Sequence, residues 1–173
     1  MTDDDLPAHV RENRRYWDAR ADEWIAAGER SWQDEEPTWG CFDIPESKLQ
    51  LLPADMTGMT AIELGCGTAY VSAWMARRGA RVVGIDNSER QLATARRLAA
   101  EHGVQLTLLH GNAETVPLPD GHFDFAISEY GAAIWCDPAL WIPEAQRRWL
   151  DGSRRGLHAA PLSGMPPARR SAD

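Results

Sequence analysis

The chain has 173 residues, a formal net charge of −8, 43% hydrophobic and 25% charged residues, which fits a single globular domain. The acidic balance, with no basic stripe over the folded part, argues against a nucleic-acid partner, and no apolar run approaches the roughly 20 residues of a membrane span. Three cysteines without metal-ligand spacing, and an acidic start (Met1-Thr2-Asp3-Asp4-Asp5) where a secretory signal would be basic, predict a reducing cytoplasmic location and no metal site.

In chain order, Val10, Trp17, Ala21, Trp24 and Ile25 recur at three-to-four spacing and predict an amphipathic helix over 9–28. Trp17 and Trp24 are expected to pack that helix on the core. Between Glu29 and Pro45, Gly and Pro mix with Trp32, Trp39, Phe42 and several acids, which predicts a lid or substrate-side loop. A short helix over 46–52 is stopped by Pro53. Strand-like and helix-like segments then alternate, with strands at 60–64, 81–86, 104–109 and 123–128 and helices at 68–78, 88–102 and 138–149. That alternation predicts βαβ units, and right-handed crossovers put every strand's carboxyl end on one edge of a parallel sheet.

The most informative segment is Thr60-Ala61-Ile62-Glu63-Leu64-Gly65-Cys66-Gly67-Thr68-Ala69. It reads as a buried strand entering a glycine turn and then a helix, whose first N–H groups have no partner within the helix. Two glycines let the backbone approach a ligand without a Cβ in the way. Asp86 closes the next strand, and an acid about 20 residues beyond a glycine turn grips a ribose diol. Capping the helix that starts near Ser88 is the competing role for Asp86. A dinucleotide fingerprint would need a third glycine where Tyr70 stands, and no phosphate-loop motif exists. The pattern therefore predicts a small nucleoside-bearing cofactor at the carboxyl end of the sheet. Cys66 has no histidine beside it and reads as a small turn residue rather than a nucleophile. Tyr70 and Trp74 lie at helical spacing and read as core, and Trp135 and Trp141 are expected to fill the core rather than line an acceptor pocket.

Four blocks in order resemble a class I S-adenosylmethionine (SAM) methyltransferase of the small-molecule, ubiquinone-biosynthesis-like type. They are Glu63-Leu64-Gly65-Cys66-Gly67-Thr68, Gly84-Ile85-Asp86-Asn87-Ser88, His110 to Asp124, and Phe125-Ala126-Ile127-Ser128-Glu129-Tyr130. The resemblance implies an α/β Rossmann-like parallel sheet with helices on both faces and an N-terminal helical cap. It divides the chain into cap helices and lid loop (1–52), a partial SAM-binding domain (53–150) and a basic tail (151–173). It implies SAM as cofactor, S-adenosylhomocysteine as product and a small-molecule acceptor. Glu63, Gly65, Cys66, Gly67, Asp86, Asn87, Asn112, Ala113, Glu114 and Ser128 are the implied cofactor contacts. Tyr16 joins them from the cap helix. Asn112 faces the adenine edge through its side chain, in place of the Asp of many relatives, and Ala113 through its N–H. Glu129 and Tyr130, at the end of strand four, are the candidates for a general base.

After residue 145 the sequence departs from the family. No apolar run of strand length follows Leu150, and the Arg-, Ala-, Pro- and Gly-rich tail reads as disordered. Its composition is that expected of an out-of-frame reading of GC-rich DNA beginning near 145–150, with a genuinely short relative as the alternative. The expectation is a sheet of about four strands instead of the family's seven, with strand four left as an apolar edge prone to self-association. The alternative reading is a catalytically inactive SAM-binding remnant or interaction module.

Overall fold

The computed structural model describes residues 5–148 and 157–159. Its centre is a parallel sheet whose first strand in the chain, β3 (Thr60–Leu64), is flanked by β4 (Arg81–Asp86) and then β5 (Thr107–His110) on one side. On the other side lie β6 (Phe125–Ser128) and β7 (Leu157–Ala159), giving the order β5-β4-β3-β6-β7. The chain thus reverses its direction of growth between β3 and β6, and the crevice beyond their carboxyl ends is where such sheets hold ligands.

The register explains the sequence pattern. Ala61, Ile62, Glu63 and Leu64 are all buried because β3 is covered on both faces. Ala61, Phe125 and Ile127 point to one face, where they meet Val71 and Met75 of α4 (Tyr70–Arg77). Ile62, Leu64 and Ala126 point to the other and pack with Phe123, Trp141 and Ala145, the last two on α7 (Pro138–Arg148). The helix α5 (Glu89–Glu101) starts at Ser88, whose hydroxyl accepts from the Gln91 N–H, and buries Leu92, Ala95 and Leu98.

The N-terminal region is more divided than its periodicity suggests. The predicted helix 9–28 is α1 (Ala8–Arg20), a 3-10 turn (Ala21–Trp24) and α2 (Ile25–Gln33). The expected loop after Glu29 holds the end of α2 and a small hairpin of β1 (Thr38–Trp39) and β2 (Ile44–Pro45). The next helix, α3 (Glu46–Leu49), ends at Gln50, which takes a left-handed conformation, before Pro53 is reached. A further short helix, α6 (Ala132–Trp135), follows β6.

The described sheet has five strands where about four were expected, still short of seven, and what β7 corrects is the expected edge. Ala126, Ile127 and Ser128 pair in parallel with Leu157, His158 and Ala159, so β6 is not an edge strand and self-association through its edge loses its premise. Three residues leave no periodic signal, and the unpaired hydrogen-bonding groups of β6 select them as a strand where propensity does not. Of the expected frameshift junction at 145–150, residues 145–148 are the end of α7; its remainder and the rest of the expected disordered tail lie outside the described residues.

Candidate functional site

The glycine turn is fastened at both ends. The N–H groups of Gly65 and Cys66 both donate to the Ile85 carbonyl, at 2.8 and 3.0 Å. Gly65 has φ +75°, and a Cβ there would lie 2.5 Å from the Gly131 Cα, so the turn rests directly on the backbone that follows β6. Gly67 also has positive φ (+53°), yet a Cβ on it would meet nothing within 4 Å. Its face is open because it looks into a cavity.

Asp86 ties the turn to the next strand. One carboxylate oxygen accepts from the Gly67 N–H at 2.7 Å and the other from the Ser88 N–H at 2.8 Å. Asp86 thus supports the start of α5, one of the two roles weighed for it, and it also stands on the cavity wall. Glu63, 1% exposed, accepts from the N–H and the hydroxyl of Ser72, at 2.7 and 2.5 Å. Burial pushes its pKa up to about 8 against those two bonds. Burial likewise raises the pKa of Asp86, opposed by its two backbone donors.

The cavity above this turn has a volume of about 510 Å³, within the range of small-molecule sites. Glu63, Gly65, Cys66, Gly67, Asp86, Asn87, Asn112, Ala113, Glu114, Glu129 and Tyr130 all line it. Sequence positions from 63 to 130 thus converge at the sheet's carboxyl edge. Ser128 and Tyr16 are not among its lining residues. Ser128 is fully buried beneath the floor, where its hydroxyl donates to the Leu64 carbonyl and accepts from the Ala133 N–H. Tyr16 is 42% exposed and packs on Trp17 and Trp135 with Arg20 against its ring.

The cap contributes different aromatics from those expected. Trp17 and Trp24, read as core, line the cavity, as do Tyr70 and Trp135, while Trp141 is buried in the core. Helical periodicity shows which face of a helix is covered, not whether a protein core or a ligand chamber covers it. Asn13 and the hairpin residues Thr38, Gly40, Cys41 and Asp43 also line it, and no motif announces them.

Two sets of contacts hold the cap closed. On α1, the Val10 carbonyl accepts from the Asn87 side chain at 2.8 Å, and Arg14 donates to the Asn87 Oδ1 at 3.0 Å. His9 meets Glu114 at 2.9 Å, and Ser88 donates to Asp18 at 2.6 Å. On α2, the buried Trp32 indole donates to the Thr68 carbonyl at 2.9 Å. Gly28 also lets α2 approach Thr68 so closely that a Cβ would lie 2.8 Å from its side chain.

Beyond the turn, Asn112 accepts the Glu114 N–H at 3.0 Å and donates to its carboxylate at 3.3 Å. Glu114 also accepts from the Asp137 N–H. At the opposite end, Glu129 accepts from the Gly40 N–H at 2.9 Å through Oε1, while its Oε2 is buried without a partner. Burial raises the pKa of Glu129, and burial followed by the neighbouring Cys41 and Glu129 raises that of Tyr130. Tyr130 has φ +52°, uncommon for a non-glycine residue. Five carboxylates line the cavity and, among the described lining residues, no Lys, Arg or His does. An apolar chamber with acids at its wall and an open glycine turn suits a nucleoside that carries a positive charge.

Comparison with known proteins agrees with this geometry. Residues 61–151 match the family model described as a methyltransferase domain. An uncharacterized methyltransferase of Mycobacterium tuberculosis is 35% identical over 113 residues, covering 65% of this chain and 44% of that protein. A ubiquinone biosynthesis O-methyltransferase of Ruegeria sp. is 31% identical over 99 residues, covering 57% and 40%. The crystal structure of an S-adenosylmethionine-dependent methyltransferase from Mesorhizobium loti superposes with a TM-score of 0.53 at 29% identity, over 62% of this chain and 49% of that one. The chain belongs to the methyltransferase-domain family of class I SAM-dependent methyltransferases. The matched region covers less than half of each of these two curated relatives.

Proposed function

We propose that this chain binds SAM in the cavity and directs its methyl group to a small-molecule acceptor. The observation that carries the reading is the bond between Asp86 and the Gly67 N–H. It makes the acid and the open glycine turn one unit at the carboxyl ends of β3 and β4, beside the point where the sheet changes direction. SAM, when bound, supplies an electrophilic methyl on a sulfonium.

The residues divide the work. Asp86 would hold the ribose hydroxyls with the lone pairs that Gly67 and Ser88 leave free. Gly65 and Gly67 would let the main chain lie against the amino-acid portion. Asn112 and Ala113 would face the adenine, with Glu114 fixing Asn112. The cap, bolted down by Asn87, Ser88 and Trp32, excludes water and aligns the reactants, which is the main source of rate in such a displacement. Where the acceptor must lose a proton, Glu129 Oε2 is the atom to receive it: it has no other partner, and burial brings its pKa closer to neutrality. The relatives named as methyltransferases lend no support to an inactive remnant, which would share the turn, the acid and the cap contacts but not turn SAM over.

Calorimetric titration with S-adenosylhomocysteine, with NAD as control, tests the reading. Micromolar binding, about −8 kcal/mol, is expected for the former and none for NAD. A chain that melts cooperatively yet ignores S-adenosylhomocysteine would overturn it.

A further inference from the structure

The five carboxylates of the cavity are not equally provided for. Glu63 has the Ser72 N–H and hydroxyl, Asp86 has two backbone N–H groups, and Glu114 has His9, Asn112 and the Asp137 N–H. Glu129 has one donor, the Gly40 N–H, and an Oε2 with none, although the residue is only 6% exposed. A carboxylate in that condition is costly to keep charged unless a cation or donor reaches it.

The surroundings of Glu129 say which. It stands beside the hairpin turn, where Asp43 is exposed at the mouth of the cavity. Outside that mouth a second, more open depression shares Ala27, Ser31, Thr38 and Asp43 with the first and adds Asp34, Glu35 and Glu36 against a single Arg30. Tyr70 and Tyr130 form the walls next to Glu129, and both phenols feel its charge and that of Asp43. Carboxylates at the entrance steer cations inward, and aromatic faces beside a carboxylate accept an ammonium group.

We infer that the hairpin end of the cavity is an amine-binding subsite, in which Glu129 Oε2 takes the ammonium group of an acceptor whose apolar body lies against Tyr70 and Tyr130. The acid cluster alone would not carry this; the buried, unpartnered Oε2 is the second and independent observation. The inference rests on the proposed methyltransferase reading and adds the acceptor's chemical class to it: a small, partly apolar amine.

The test is a binding measurement on the full chain, with and without S-adenosylhomocysteine. The probes are phenethylamine, its neutral counterpart phenethyl alcohol and the anionic hydrocinnamate. The amine should bind at least about tenfold more tightly than either, the factor that one charge-assisted bond supplies, and Glu129→Gln should abolish that preference. Should Glu129→Gln fail to melt cooperatively, Asp43→Asn carries the test, since asparagine tolerates the φ of +47° at this position; it should weaken the preference. No amine binding, equal binding of amine and alcohol, or a preference unchanged in these variants overturns the subsite. A chain that selects the amine but ignores S-adenosylhomocysteine keeps the subsite and loses the methyltransferase reading, while the converse loses the subsite alone.

Discussion

Glu63 makes the stability of the ligand-free protein depend on pH in an unusual direction. Its ordinary value of 4.5 is raised to about 8 by burial. A folded-state pKa above the unfolded one means the native chain holds a proton that the unfolded chain releases. The stability associated with Glu63 is therefore full below pH 4.5, falls as pH rises through the window from 4.5 to about 8, and is flat above it. The whole gap corresponds to on the order of 5 kcal/mol, and the part between pH 5 and 7.5 to about 3 kcal/mol.

Glu63→Gln isolates this contribution. The Gln carbonyl can accept the Ser72 N–H and hydroxyl as Oε2 does, and the side chain stays neutral at every pH. Asp86 and Glu129 titrate in both proteins and enter the difference only through their charge coupling to Glu63, which is smaller than the effect of burial. The variant should gain stability over the parent by about 3 kcal/mol between pH 5 and 7.5, or roughly 6–12 °C in Tm for a domain of this size. Thermal melts in a series of buffers over that range measure it. Parallel curves for the two proteins would show that Glu63 is ionised and well solvated at neutral pH, and the argument from burial would fail.

Asp86→Ala should lower affinity for S-adenosylhomocysteine at least about 100-fold, since two charge-assisted bonds are worth roughly 1.5–3 kcal/mol each; calorimetry showing unchanged affinity would remove Asp86 from the ribose site. The two turn glycines should respond differently to alanine. Gly65→Ala forces a Cβ to 2.5 Å from Gly131 at positive φ and should cost about 3 kcal/mol or more in urea unfolding. Gly67→Ala has open space and only its φ to resist it, so it should cost about 1–2 kcal/mol and show its main effect as weakened ligand binding. Trp32→Phe keeps the buried ring but loses the indole bond to the Thr68 carbonyl, and should destabilise by about 1 kcal/mol by the same assay.

The central strands and the glycine turn were legible in sequence because their constraints are local. A strand buried on both faces must be a continuous apolar run, a turn with φ values of +75° and +53° calls for glycine, and an acid at the next strand's end has a fixed place beside them. The hairpin at 38–45, the lining role of Trp17 and Trp24, and β7 were not legible, because each is settled by what lies opposite it. A tryptophan at helical spacing looks the same whether it faces leucines or an empty chamber. Leu157-His158-Ala159 becomes a strand only because β6 offers it a row of partners. The proposed cofactor half of the site is thus written in motifs, and the proposed acceptor half in tertiary contacts between the cap, the hairpin and the end of β6.

That division also shows where the fold carries strain on behalf of its ligands. Glu63, Asp86 and Glu129 are each held by burial at raised pKa values, with no Lys, Arg or His among the described residues lining the chamber. Apolar side chains at these places would relieve the empty protein of that electrostatic cost. The cost is recovered when positive charge enters, since a cation beside a buried carboxylate favours its ionised form. A sulfonium near the glycine turn and an ammonium near Glu129 would each do so, at opposite ends of one cavity. On the proposed reading, the same carboxylates that weaken the ligand-free fold at neutral pH would select two cationic ligands, and an amine nitrogen would pass its proton to Glu129 Oε2 before it could accept the methyl.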